Sequence, residues 1–122
     1  MTVEEHMEEG SAAIAVGDLD AAIGHFKRAT EIDPDHFDAW HSLGMAYLKS
    51  QHHAEAVAAG RRAVQLNPND QFARVSLSIY FQRNGQIPEA EAEAAKAKIL
   101  AWGGKLRPNE PGAKLQFDPP RA

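Results

Sequence analysis

Apolar residues return along most of this chain at intervals of three and four, the spacing that gathers them on one face of an α-helix. The clearest run is Phe37 to Asp70. There Trp40, Leu43, Tyr47 and Leu48 make one stripe, and Ala56, Ala59, Gly60, Ala63, Val64 and Leu66 make a second. Polar residues fill the intervening positions, so each stripe reads as an amphipathic helix with one face to bury. Upstream, Val3, Met7, Ala12, Ala13 and Ile14 mark a helix over Val3–Ala15, and Leu19, Ala22, Ile23, Phe26, Ala29 and Ile32 mark the next. Downstream, Ala73, Leu77, Tyr80 and Phe81 mark a fifth helix. The alanine-rich stretch from Glu89 to Trp102, of high helix propensity, marks a sixth.

The breaks between stripes are of two alternating kinds. Gly17-Asp18 and Asn84-Gly85 punctuate within pairs: glycine takes positive φ to end one helix, and aspartate can cap the free amides of the next. In the central pair Gln51-His52-His53 holds that place. Asp33-Pro34 and Asn67-Pro68 close the pairs, because proline has no amide to donate and pushes its predecessor out of the helical region. Asp35 or His36 then opens the second pair, and Asn69 or Asp70 the third. Pro88 fits the first turn of the sixth helix, where its missing amide costs nothing, and Gly103-Gly104 is the final stop. The prediction is all-α, with six antiparallel helices in three helix-turn-helix hairpins.

The hairpins repeat. Ala22, Ala56 and Ala90 are evenly offset, as are Ala29, Ala63 and Ala97, and Pro34 with Pro68. A repeat of about 34 residues sets the architecture of a chain as an α-solenoid, since no single hairpin buries its own apolar face. With Trp40, Leu43, Gly44, Tyr47, Ala56, Ala63 and Pro68 in one register, the central unit resembles the tetratricopeptide repeat (TPR). The first unit, about residues 3–36, matches through Gly10, Ala22, Phe26, Ala29 and Pro34, with His6 in the Trp slot and Glu9 in the Leu slot. That polar start suits an exposed terminal repeat. The third, about 71–104, matches through Leu77, Phe81, Gly85, Ala90 and Ala97, with Arg74 for Trp, Ser78 for Gly and Trp102 for the closing Pro. Gly10, Gly44 and Ser78 would sit where the helices of each pair cross, opposite Ala22, Ala56 and Ala90. These residues describe a scaffold.

Residues 1–104 thus read as a three-repeat domain and 105–122 as a non-helical tail. From Gly103 onward the sequence GGKLRPNEPGAKLQFDPPRA holds four prolines and three glycines, with Leu106, Leu115 and Phe117 as its only sizeable apolar side chains. The tail is either disordered or docked, in which case these three cover the outer face of the sixth helix or enter a groove of the same or a neighbouring chain.

Composition narrows the partners. The formal charge is −4, with no Lys/Arg cluster, so neither nucleic acid nor an anionic membrane is favoured. No apolar run approaches the ~20 residues that span a bilayer. The start, rich in Glu4, Glu5, Glu8 and Glu9, is unlike a signal peptide, and the chain has no cysteine. The simplest compartment is the cytoplasm, with secretion still open.

In proteins of this repeat the first helices line a concave groove that binds a partner segment. Carried over by position, the resemblance implies a groove of Met7, Ser11, His41, Met45, Lys49, Phe72, Ser76, Ile79 and Arg83, with Glu8, Ser42 and Gln82 beside them. Ile14, Ala15, Leu48 and Val75 fall there too, or pack between repeats. The centre is apolar and methionine-bearing, which suits an apolar or amphipathic segment. The carboxylate-clamp members, which hold chaperone C-termini, would have Lys at Met7, Asn at Ser11 and Ser42, Lys at Phe72 and Arg at Ser76. All five differ here, so the resemblance does not extend to that activity.

No catalytic or metal-binding pattern emerges. His52-His53 lie in a turn, and His36 and His41 lack the spacing and the third ligand of a metal site, so the histidines read as surface residues. There is no GxSxG, P-loop or Cys/His pair. The expectation is a non-enzymatic adaptor without cofactor or metal, binding a protein or peptide segment. The alternative is a structural subunit or homo-oligomer docking through the repeat ends and tail.

Overall fold

The structure is a computed structural model that describes residues 1–104 of the 122. The predicted docking residues Leu106, Leu115 and Phe117 lie outside the described residues. The chain forms α1 (Val3–Ala15), α2 (Leu19–Ile32), α3 (Phe37–Lys49), α4 (His53–Leu66), α5 (Gln71–Arg83) and α6 (Ile87–Ala101). Each helix packs against its sequence neighbours, and α5 also touches α3. The result is three hairpins stacked side by side, as the periodicity predicts.

The predicted punctuation acts through specific hydrogen bonds. Thr2 and Glu5 form a reciprocal capping box at the start of α1, each side chain accepting the other's amide at 3.1 Å. Asp18 accepts from Ala21 and Asp70 from Ala73, while His36 Nδ1 accepts from Ala39 at 3.1 Å. Of the two residues offered for each inter-repeat cap, the structure uses His36 and Asp70. The within-pair turns share one geometry. Gly17, Gln51 and Gly85 have φ of 79°, 64° and 78°, and the next amide reaches back to close each turn. Gln51 holds this left-handed conformation without being glycine, in the turn that the sequence places at Gln51-His52-His53. Pro88 stands in the first turn of α6, as its missing amide allows.

Small residues let the helices come close. Ala22, Ala29, Ala39, Ala46 and Ala56 have no exposed surface at all. A Cβ on Gly10 would come within 2.5 Å of the Phe26 ring, and one on Gly44 within 2.9 Å of Tyr80. Gly60, on α4, is pressed by the same Tyr80 at 2.8 Å and by Leu77 at 3.1 Å. Thus Tyr80 of the third hairpin is the knob that fits between the two helices of the second. At the third crossing Ser78 replaces glycine, and its hydroxyl donates to the Ala90 carbonyl across the hairpin at 2.8 Å. The core runs as successive clusters. Val3, Ala29 and Ala39 make one, Phe26, Leu43 and Ala59 belong to the next, and Leu77, Tyr80 and Phe81 to the last.

Candidate functional site

The residues assigned to the groove lie on α1, α3 and α5, the first helices of the three hairpins. His41, Met45 and Lys49 are four apart and share one helical face. Phe72, Ser76, Ile79 and Arg83 do so on α5, and Met7 and Ser11 on α1. Their exposure differs. Met45 and Ile79 each expose 37% and Phe72 74%, high values for large apolar side chains. Ser11, Lys49 and Arg83 are exposed, while Met7, His41 and Ser76 are half-buried. Met7 leans on the first two core clusters, and His41 stacks on Phe37 with ring centroids 5.7 Å apart. Of the residues read as either groove or packing, Ile14 and Leu48 pack against the core, whereas Val75 remains 40% exposed.

Charge is distributed unevenly about this stripe. Lys49 and Arg83 occupy equivalent places in the last turns of α3 and α5, where the helix dipole favours a cation. Among the described residues neither forms an ion pair or a side-chain hydrogen bond. The paired charges lie elsewhere. Arg62 of α4 bonds Asp35 in the inter-repeat turn at 2.9 Å, and Arg28 bonds Glu31 on the surface of α2. Arg74, Glu93 and Lys96 form a network between α5 and α6, with Arg74 and Glu93 only 11% and 10% exposed. That network borders a shallow hollow of about 310 Å³ between α4 and α6, also lined by Arg61 and Phe81. Arg61 stacks over the Phe81 ring at 5.2 Å. Among the described residues no three His, Cys, Asp or Glu side chains converge as a metal site would require.

Three side-chain arrangements escaped the sequence reading. His6, expected on an exposed polar start, is buried with only 9% exposed, and its Nδ1 lies 3.0 Å from Nδ1 of His25 on α2. Burial holds the His6 pKa below its usual value, and the His25, N-terminal and Arg28 charges push the same way, with Glu5 opposing weakly. Arg74 in the Trp slot finds a buried partner in Glu93, and its Nε also donates to the Pro68 carbonyl at 3.1 Å. Trp40 Nε1 makes the same bond to the Pro34 carbonyl at 2.7 Å, so the guanidinium reproduces the indole's contact. The available signal was register. His6 with His25 and Arg74 with Glu93 share one separation of 19 residues, and Ala59 stands at that distance from Trp40. The third arrangement is Tyr80, whose buried hydroxyl has no hydrogen-bond partner among the described residues. Burial pushes its pKa up to about 12, and Ser76, one turn away, opposes this.

No helix among the described residues is long and apolar enough to cross a membrane. Comparison with known proteins agrees with the architecture. The chain is 33% identical over 100 residues to Superkiller protein 3 of Schizosaccharomyces pombe, covering 82% of this chain and 7% of that one. It is 29% identical over 83 residues to the PEX5-related protein of Homo sapiens, covering 68% of this chain and 13% of the relative. The chain therefore spans a small part of the curated relatives it matches. Among solved structures, MamA superposes with a TM-score of 0.76 at 25% identity, over 81% of this chain and 54% of that one. The second TPR domain of Spaghetti (RPAP3), bound to the HSP90 peptide SRMEEVD, superposes with a TM-score of 0.77 at 21% identity, over 82% of this chain and 93% of that one. A sequence profile of the tetratricopeptide repeat matches residues 7–71, more than half the chain, which belongs to the tetratricopeptide-repeat family.

Proposed function

We propose that this chain is a non-catalytic protein-interaction module that takes an apolar partner segment along the first helices of its repeats. The observation carrying this reading is the exposed stripe of Phe72, Met45 and Ile79, flanked by Lys49 and Arg83, cations that form no ion pair among the described residues. Exposed large apolar side chains on neighbouring helices are costly in water unless something covers them. Methionine and isoleucine adapt to varied apolar shapes, and the two cations would orient a segment that carries carboxylates at one end. Support also comes from the company the fold keeps. The RPAP3 domain was solved with a bound peptide, and another chain of this shape, with a TM-score of 0.77, is part of the CopN-Scc3 complex.

The ligand differs in kind from one held by a carboxylate clamp. Met7, Ser11, Ser42, Phe72 and Ser76 stand where a clamp needs lysine, asparagine and arginine, so a free C-terminus would find no cluster of charge-assisted donors. The segment is instead held by apolar burial with acidic flanks. Selection of a displayed random-peptide library on the immobilised chain tests this. Enriched peptides should combine apolar anchors with Asp or Glu, and the variant Met45→Glu/Ile79→Glu should lose them while keeping its helical circular dichroism. Equal capture by the folded variant, or enrichment of peptides without apolar anchors, would remove the groove from consideration.

A further inference from the structure

One register position of this fold carries a different chemistry in each hairpin. The second hairpin sets Trp40 with Ala59 and the third sets Arg74 against Glu93, while the first sets His6 of α1 against His25 of α2. Indole with methyl and guanidinium with carboxylate are complementary pairs. Two imidazoles are alike: each is a base, and their Nδ1 atoms face one another at 3.0 Å. With both rings neutral, one must turn an Nδ1–H toward the lone pair of the other, so a single proton holds the two nitrogens together.

That spacing also suits two ligands of one ion. Metal–nitrogen bonds of about 2.05 Å to nitrogens 3.0 Å apart enclose roughly 94° at the metal. This is the angle between adjacent positions of a square-planar or octahedral ion such as Cu²⁺ or Ni²⁺. A tetrahedral ion such as Zn²⁺ would need the nitrogens about 3.3 Å apart. The rings are tilted by 42°, with centroids 5.3 Å apart, and a turn about χ2, a soft torsion in histidine, lets both lone pairs converge. The ring that donates then carries its proton on Nε2 instead of Nδ1, so both rings ligate as neutral imidazoles and no proton is lost. Burial, which lowers the His6 pKa, keeps that ring neutral near pH 7.

We propose that His6 and His25 clip α1 to α2 through a divalent transition-metal ion of right-angle coordination, Cu²⁺ or Ni²⁺ in type, with water in its remaining positions. Among the described residues no third His, Cys, Asp or Glu joins the pair, so the ion is held in exchange with solution and not as a resident centre. The surrounding charges keep the affinity modest. Glu5 favours a cation beside His6, whereas Arg28 and the α-amino group oppose it. The consequence is local: the clip fixes the helix that carries Met7 and Ser11 and leaves the second and third hairpins as they are. The proposal is independent of the partner groove, since its readouts involve no protein partner.

The test uses the full chain without a histidine tag. In about 1 mM NiCl2 its melting temperature should rise by roughly 5 °C, as an ion bound only by the folded state requires. His25→Ala should abolish the rise; His25 is half-buried, so this change is the milder of the two at the pair. His52→Ala/His53→Ala, at the adjacent histidines between α3 and α4, should leave the rise intact. ZnCl2 at the same concentration should give a smaller rise. Cu²⁺ at one equivalent, added to the His52→Ala/His53→Ala chain, reads the ligands with the pair itself unaltered: electron paramagnetic resonance should show coupling to two imidazole nitrogens, and His25→Ala in that chain should remove one or both. A melting temperature unmoved by NiCl2, a rise that survives His25→Ala, or a copper spectrum without two imidazole nitrogens would overturn the proposal.

Discussion

At Gly10 a methyl group would meet the Phe26 ring within 2.5 Å, whereas at Gly24, on the outside of α2, it would meet nothing within 4 Å. The two glycines are opposite cases of one substitution. In both, alanine recovers the ~1 kcal/mol of helix propensity that glycine forgoes. At Gly10 that gain is outweighed by overpacking, since the ring is itself fixed in the core at 3% exposure. Gly10→Ala should therefore destabilise the fold by about 1–3 kcal/mol, and Gly24→Ala should stabilise it by about 0.5–1 kcal/mol, both read from urea denaturation. His6 carries a second expectation at this scale. Its charged form is disfavoured in the folded chain, first by burial and then by His25, so its folded pKa lies below 6.5. The unfolded chain accordingly binds the proton first as pH falls. The contribution is full above pH 6.5 and is lost on acidification through that value toward the folded pKa. Melting temperature should decline from pH 7.5 to 5.5, and His6→Phe should flatten the decline in the same scan.

Between elements, the joints of the three hairpins show what could be read in advance and what could not. Helix ends were legible because their chemistry is local: Asp18, Pro34, Pro68 and Gly85 act on backbone groups within four residues of themselves. The small residues at the crossings were legible through repetition. The partners that fill the Trp slot were not, because Arg74 and Glu93 are distant in sequence and each alone reads as a solvated charge. Only the fold makes them a buried pair, with Arg74 Nη1 at 3.3 and 3.0 Å from the two carboxylate oxygens. The exposure of Met45 and Ile79 could be anticipated only by analogy with other repeats, since it is a property of the stack and not of their local sequence. The buried pair makes the joint between α5 and α6 testable. Arg74→Ala strands the Glu93 carboxylate with Lys96 alone and should cost about 3 kcal/mol in urea denaturation. Arg74→Trp with Glu93→Ala installs the central hairpin's pairing of Trp40 with Ala59 and should recover most of that loss. A double variant no more stable than the single would separate the Trp slot from its partner.

Across the whole molecule, stability passes from neighbour to neighbour, through clusters centred in turn on Ala29, Phe26 and Tyr80. The exposed apolar stripe lies on the second and third hairpins, so a segment bound along it would clamp the joint between them. The joints are not alike. Tyr80 sits on Gly44 and Gly60, while the residue at its register position one hairpin earlier is Ala46, fully buried against different neighbours. If the unit Phe37–Asp70 were copied in tandem, Ala46 of the copy would face Gly44 and Gly60 of the original and leave a void the size of a phenol ring. The repeats therefore behave as words in a sentence and not as beads on a string. Their sequence order is written into which side chain each interface accepts, and such an array cannot lengthen by duplication alone without a compensating change from small to large at the new seam.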